Sequence, residues 1–176
     1  MISAVSRAYG RLLEGLALLG CLILFAMTMI IVADVGLRNI AVPGLPQGLS
    51  WSNEVSEVML FLVTMCVAPW LLRQGQHIRV DIVLQALPRR VAWSLEWVGD
   101  TIGLVCCLVI AWYGTIAAWA SYSEGALRIK TLVTPEWWIL APLPLVFVLL
   151  SIEMVFRMGR LYAGDRGPRQ DAVSAA

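Results

Sequence analysis

The chain has 176 residues, of which 60% are hydrophobic and only 14% charged, with a formal net charge of +1 and a mean hydropathy of +0.79. So short a chain cannot bury that much apolar surface inside a water-soluble domain, and its dispersed arginines exclude the basic groove of a nucleic-acid-binding protein. The expected fold is an all-α integral membrane protein, with four transmembrane helices and a short cytoplasmic interfacial helix in a single domain over residues 1–158.

The expected spans are about 12–37, 54–72, 93–123 and 136–156, each long enough for a hydrocarbon core of about 30 Å. Arg7 and Arg11 precede the first span, Arg73, Arg79, Arg89 and Arg90 lie between the second and third, and Arg157, Arg160, Arg166 and Arg169 follow the fourth. By the positive-inside rule both termini and the middle connection are cytoplasmic, and the first and third connections face outward. The uncharged run from Gly15 to Ala33 is too long for a signal h-region, so the first span is read as uncleaved. Near its end Asp34 and Arg38 are four residues apart, acid first, which favours a structural ion pair.

In the second span Trp51, Glu54 and Glu57 are three apart and share one stripe at the outer end. The charge-free part of this span covers only about 22 Å, so Glu57 reaches the membrane boundary. The stripe either contacts a partner or solvates and anchors the helix entry, where acids also suit the positive end of the helix dipole. Arg128 or Lys130, on the same side, is a candidate partner for Glu57.

Arg73 to Arg90 reads RQGQHIRVDIVLQALPRR. Gly75 permits a turn, and Val80, Val83, Leu84 and Leu87 follow a helical spacing, which predicts an interfacial helix over about 80–87 ahead of Pro88. His77 is the only histidine, so a haem held by two histidines of this chain is excluded, and the residue is read as a hydrogen-bonding element of the turn.

The third span exceeds the bilayer and must tilt, kink or project. It carries Trp93, Glu96, Trp97 and Asp100 at its inner end. The two acids suggest either an acid/base or cation site or salt bridges to Arg73, Arg79, Arg89 and Arg90, and the bridges are favoured. In the fourth span Pro142 and Pro144 free backbone groups, so the helix there must bend or lean on another element. Glu153 and Arg157, four apart, are a candidate pair. From 159 to 176 the tail is polar and small, and is expected to be disordered.

Cys21, Cys66, Cys106 and Cys107 all lie within apolar runs without a CxxC pair, and are read as packing residues. No phosphate loop, nucleophile elbow or metal spacing is present, so no catalytic residue, cofactor or metal is expected. Three classes remain: an accessory transporter subunit, a stand-alone small oligomeric transporter using Glu57, Glu96 or Asp100, and a membrane anchor of a redox complex. The lone histidine weakens the anchor, and the placement of every acid near a boundary weakens the stand-alone transporter.

The sequence W51-S-N-E54, the stretch RQGQHIRVDIVLQALP and the run TPEWWILAPLPLVFVLL resemble the small membrane subunit of tripartite ATP-independent periplasmic (TRAP) transporters. The resemblance runs from about Leu12 to Phe156. Its most specific part is Arg73 with Gly75, His77, Val80 and Asp81. Asn53 stands where such proteins often carry another acid, and Cys66 where a glycine is common. The resemblance implies a bacterial inner-membrane complex in which a periplasmic solute-binding protein hands an anionic solute, such as a carboxylate or sugar acid, to the membrane subunits. Uptake would be driven by an ion gradient, usually sodium, with a large multi-span subunit holding the solute and ion sites. The small subunit would brace it, with Trp51, Asn53 and Glu54 shaping the outer surface and Arg73, His77, Arg79 and Asp81 locking the inner turn.

Overall fold

The computed structural model describes residues 2–40, 48–75 and 88–163. The interfacial helix expected over about 80–87, together with His77, Arg79 and Asp81, lies outside the described residues, as does the tail from residue 164.

The described chain is mostly helical: α1 (Ile2–Asn39), α2 (Ser52–Arg73), α3 (Arg89–Glu124), a strand pair β1 (Leu127–Ile129) and β2 (Val133–Pro135), a single turn α4 (Trp137–Leu140), and α5 (Pro142–Ala163). Four stretches are long and apolar enough to cross a membrane: Ser6–Asn39, Ser52–Arg73, Val91–Glu124 and Trp137–Tyr162. α5 continues past Gly159, where the polar tail was expected to begin, and α1 starts ten residues before the expected span.

The helices do not close around a common axis. α1 packs on α2, α2 on α5 and α5 on α3, giving a row in which the chain's last helix sits between its second and third. The span Trp137–Tyr162, which includes α5, is the most buried of the four, and those of α1 and α3 are the least. Glycines permit two of the close approaches. A Cβ on Gly20 of α1 would stand 2.7 Å from Val67 of α2, and one on Gly114 of α3 would strike Leu143 of α5. Leu72, Val146 and Leu150 form the buried centre where α2, α3 and α5 meet, with Met65, Cys107, Phe147 and Met154 packed around them. Cys21, Cys66, Cys106 and Cys107 are all free.

The strand pair is the departure from an all-helical reading. α3 ends at Gly125, whose φ of +64° suits a residue without a Cβ. The Ala126 amide then donates to Ser121 O at 3.1 Å and the Gly125 amide to Tyr122 O at 3.3 Å, which satisfies the last carbonyls of the helix. The chain continues directly into an antiparallel hairpin in register Leu127 with Pro135 and Ile129 with Val133. A bond from the Glu136 amide to Ala126 O, 3.1 Å, closes its base. Beyond the hairpin, Pro142 and Pro144 lack the amides that would bond Trp138 O and Leu140 O, and the helix is interrupted at Ala141 between α4 and α5.

Candidate functional site

The polar chemistry gathers at the two ends of the row. At the hairpin end, α2 presents two carboxylates to the hairpin. Glu54 accepts from the backbone amides of Thr131 (2.6 Å) and Leu132 (2.9 Å) at the hairpin tip. One turn on, Glu57 accepts from Arg128 Nη2 and Lys130 Nζ, each at 2.7 Å. Both candidate cations thus converge on one acid. Beneath the contact lies a cavity of about 180 Å³, floored by Val55, Val58, Met59, Leu132 and Ile139.

The same end carries a second anchor. Arg38 Nε donates to Asp34 Oδ2 at 2.9 Å, and the Leu49 amide donates to Asp34 Oδ1 at 2.6 Å, so the buried Asp34 ties the end of α1 to the chain entering α2. Gly48, at φ +99°, passes directly over this pair, where a Cβ would stand 2.8 Å from Arg38 Cγ. Trp51 and Asn53 are exposed beside the hairpin's anchor, at the first turn of α2. Trp51 therefore shares a helix end with Glu54 and Glu57, and the two acids are engaged with the hairpin.

At the arginine-rich end the pairing runs between helices. Glu153 of α5 is completely buried and binds two arginines, Arg73 of α2 at 3.2 Å through Oε2 and Arg160 at 2.5 Å through Oε1. Arg73 also donates from Nη2 to Ser6 O of α1 at 2.8 Å and lies 5.9 Å from the centre of the Tyr9 ring. Gly10 leaves the slot through which it reaches, since a Cβ there would be 3.1 Å from Nη2. Tyr9 in turn donates to Leu149 O of α5 at 2.7 Å. Arg73 thus joins α1, α2 and α5 in one arrangement.

Arg157 points to the other neighbour, with Nε 3.1 Å from Asp100 Oδ1 of α3. The pairing expected between Glu153 and Arg157 therefore changes partners. Both oxygens of Glu153 are occupied by Arg73 and Arg160, rather than by Arg157 one turn away. Asp100 meets Arg157; of the four arginines expected for it, Arg73 is engaged on the opposite side of α5, and the side chains of Arg79, Arg89 and Arg90 lie outside the described ones. The cause is the position of α5 between α2 and α3, which turns its acid to one neighbour and its arginine to the other. Glu96 is buried one turn before Asp100 on the same face of α3.

Sequence reasoning did not single out Tyr9, Ser6, Gly10 or the amides of Thr131 and Leu132. Small residues at Ser6 and Gly10, four apart, are the only trace of the Arg73 slot, and a backbone amide leaves none. Among the described residues no group of three or more His, Cys, Asp or Glu side chains is placed to hold a metal ion.

Four helices long and apolar enough to cross a membrane, tied near both ends by ion pairs, have the character of a membrane component. A comparison with curated proteins found no match. The profile of one family, described as tripartite ATP-independent periplasmic transporters, DctQ component, matches residues 27–164. The matched segment takes in α2, α3, the hairpin and α5 whole, together with the hairpin-side part of α1. The chain therefore belongs to the DctQ family, the small membrane component of TRAP transporters.

Proposed function

We propose that this small subunit is a non-catalytic brace for the large transport subunit and contributes docking surface to a periplasmic solute-binding protein. The complex would import an anionic solute, such as a carboxylate or sugar acid, driven by an ion gradient, usually of sodium. In this reading the arginine-rich end and both termini are cytoplasmic and the hairpin end is periplasmic, in the bacterial inner membrane. The observation that carries the proposal is where the charge lies. Residues 15–33, 58–72, 101–123 and 137–152 contain no charged side chain. The acids at their ends tie helix to helix or helix to hairpin, as Glu57 does to Arg128 and Lys130 and Asp100 does to Arg157. A transport path for an anion and a cation needs polar groups within the membrane, and those would come from the large subunit.

The hairpin end supplies the docking face, with Trp51 and Asn53 exposed beside a hairpin held rigid by Glu54 and Glu57. Mild extraction of a tagged chain from its native membrane, followed by mass spectrometry, tests the assignment. A stoichiometric large polytopic partner supports it. Recovery only as a self-oligomer would overturn it and turn attention to Glu57, Glu96 and Asp100 as ion sites of a stand-alone transporter. Orientation is tested separately by an impermeant maleimide on intact spheroplasts, with single cysteines at position 130 or 160 in a background lacking the native cysteines. Labelling at 130 alone is expected, and labelling at 160 alone would invert the topology.

A further inference from the structure

α2 and α5 meet where Leu72 packs with Val146 and Leu150, and toward the hairpin they part. Two cavities follow one another in the gap, one of about 180 Å³ under the hairpin and one of about 550 Å³ beyond it. One face of α2 lines both, since Val55, Val58 and Met59 in the first and Leu62, Met65 and Cys66 in the second recur at helical spacing. Ile139 of α4 and Pro142 and Leu145 of α5 stand opposite. The gap closes at the buried cluster, because Val146 belongs to it and Met65 packs against it, and both line the second cavity.

The depth of the gap is that of one leaflet. From Val55 to Cys66 the helix rises about 16 Å, close to half of a hydrocarbon core of about 30 Å. A helix crossing the membrane would need a groove through both leaflets, and this one is shut halfway. At ~30 Å³ for a group the size of a water molecule, the larger cavity takes about eighteen such groups, the size of one acyl chain.

The polarity is graded in the same sense. Below the hairpin the lining is apolar, and at the mouth stand Glu54, Glu57, Arg128 and Lys130. All four carboxylate oxygens there are engaged, those of Glu54 by the amides of Thr131 and Leu132 and those of Glu57 by the two cations. Arg128 and Lys130 each give a single donor to Glu57, of the five that a guanidinium and the three that an ammonium carries. The groups left over at the mouth are therefore charged donors, which suit the oxygens of a phosphate.

We infer that the gap between α2 and α5 holds one phospholipid of the hairpin-side leaflet, with its phosphate at Arg128 and Lys130 and one acyl chain laid along α2 from Val58 to Cys66. The inference needs only that the chain spans a membrane and stands apart from the bracing reading.

The test reconstitutes the tagged full chain, purified with its native partners, into vesicles of phosphatidylethanolamine and phosphatidylglycerol with a trace of phosphatidylglycerol bearing a diazirine midway along one chain. Irradiation, digestion and mass spectrometry are expected to find adducts concentrated between residues 58 and 66 and between 139 and 145, above those on the exposed Leu18 and Leu22 of α1. Adducts spread over α1 and α3 without enrichment in the gap would mean ordinary boundary lipid and overturn the inference. A gap left unlabelled would overturn it too, assigning the space to another protein segment, whether of a partner or of a second copy. Diacylglycerol bearing the same diazirine lacks the phosphate and is expected to label the gap about fivefold less, the equivalent of about 1 kcal/mol, as for one cation at a lipid surface. Equal labelling by the two probes would overturn the assignment of Arg128 and Lys130 to a phosphate.

Discussion

Removing Arg73 tests the arginine-rich end most directly. Arg73→Ala deletes the 3.2 Å contact with the fully buried Glu153, the hydrogen bond to Ser6 O and the cover over Tyr9. Breaking one partner of a buried ion pair costs about 3–5 kcal/mol, because the remaining charge is stranded. Glu153 keeps Arg160, whose side chain is 47% exposed, so the lower end of that range applies. A loss of about 3 kcal/mol corresponds to roughly a 150-fold shift in the folding equilibrium. The assay is a titration of the purified chain from mild detergent into denaturing detergent, followed by helicity and gel filtration. The double variant Arg73→Met, Glu153→Leu removes both charges at similar volume and is expected to recover most of the loss. An Arg73→Ala variant as stable as the parent would refute the reasoning. So would a double variant no better than the single one, since the cost would then not come from a stranded carboxylate.

Three further outcomes follow from particular contacts. Glu54→Gln and Glu57→Gln should both loosen the hairpin, raising amide exchange at Thr131 and Leu132. The Glu57 variant should mimic high salt, because its ion pairs are exposed, whereas the Glu54 variant should lower protection at any salt concentration. Gly20→Leu should force α1 away from Val67 at a cost of about 1–3 kcal/mol, read in the same detergent titration, and an unaltered midpoint would mean that α1 and α2 do not approach closely there. Gly125→Ala should cost about 1 kcal/mol by placing a Cβ in left-handed backbone, with increased protease cleavage in the hairpin as the readout.

The number and place of the apolar spans could be read from sequence because hydrophobic runs and charge boundaries are properties of single segments, although α1 and α5 run beyond them. Asp34 and Arg38 could be paired for the same reason, both lying on one helix one turn apart. The spacing of Glu153 and Arg157 is identical, yet each turns to a different helix, because α5 is flanked on both sides while the end of α1 is flanked on one. Local spacing cannot anticipate the order of helices in a row. The hairpin was illegible for another reason. Its strands are three residues each, too short for an alternating pattern, and one of them ends in a proline. The anchoring of Glu54 by main-chain amides could not be read either, since every residue but proline carries one. Only the same-side placement of Arg128 and Lys130 gave Glu57 its partners in advance.

The order of the row has a consequence for how the protein is made. α1 and α2 are neighbours in sequence and in space, so they can pair as soon as the second span leaves the translocon. α3 cannot, because its partner α5 is synthesised last, and until then the carboxylate of Asp100 waits without the guanidinium of Arg157. Maturation should therefore proceed in two stages, an early hairpin and a late insertion of the final span between its predecessors. A nascent chain arrested after Glu124 would be the species most exposed to quality-control proteolysis.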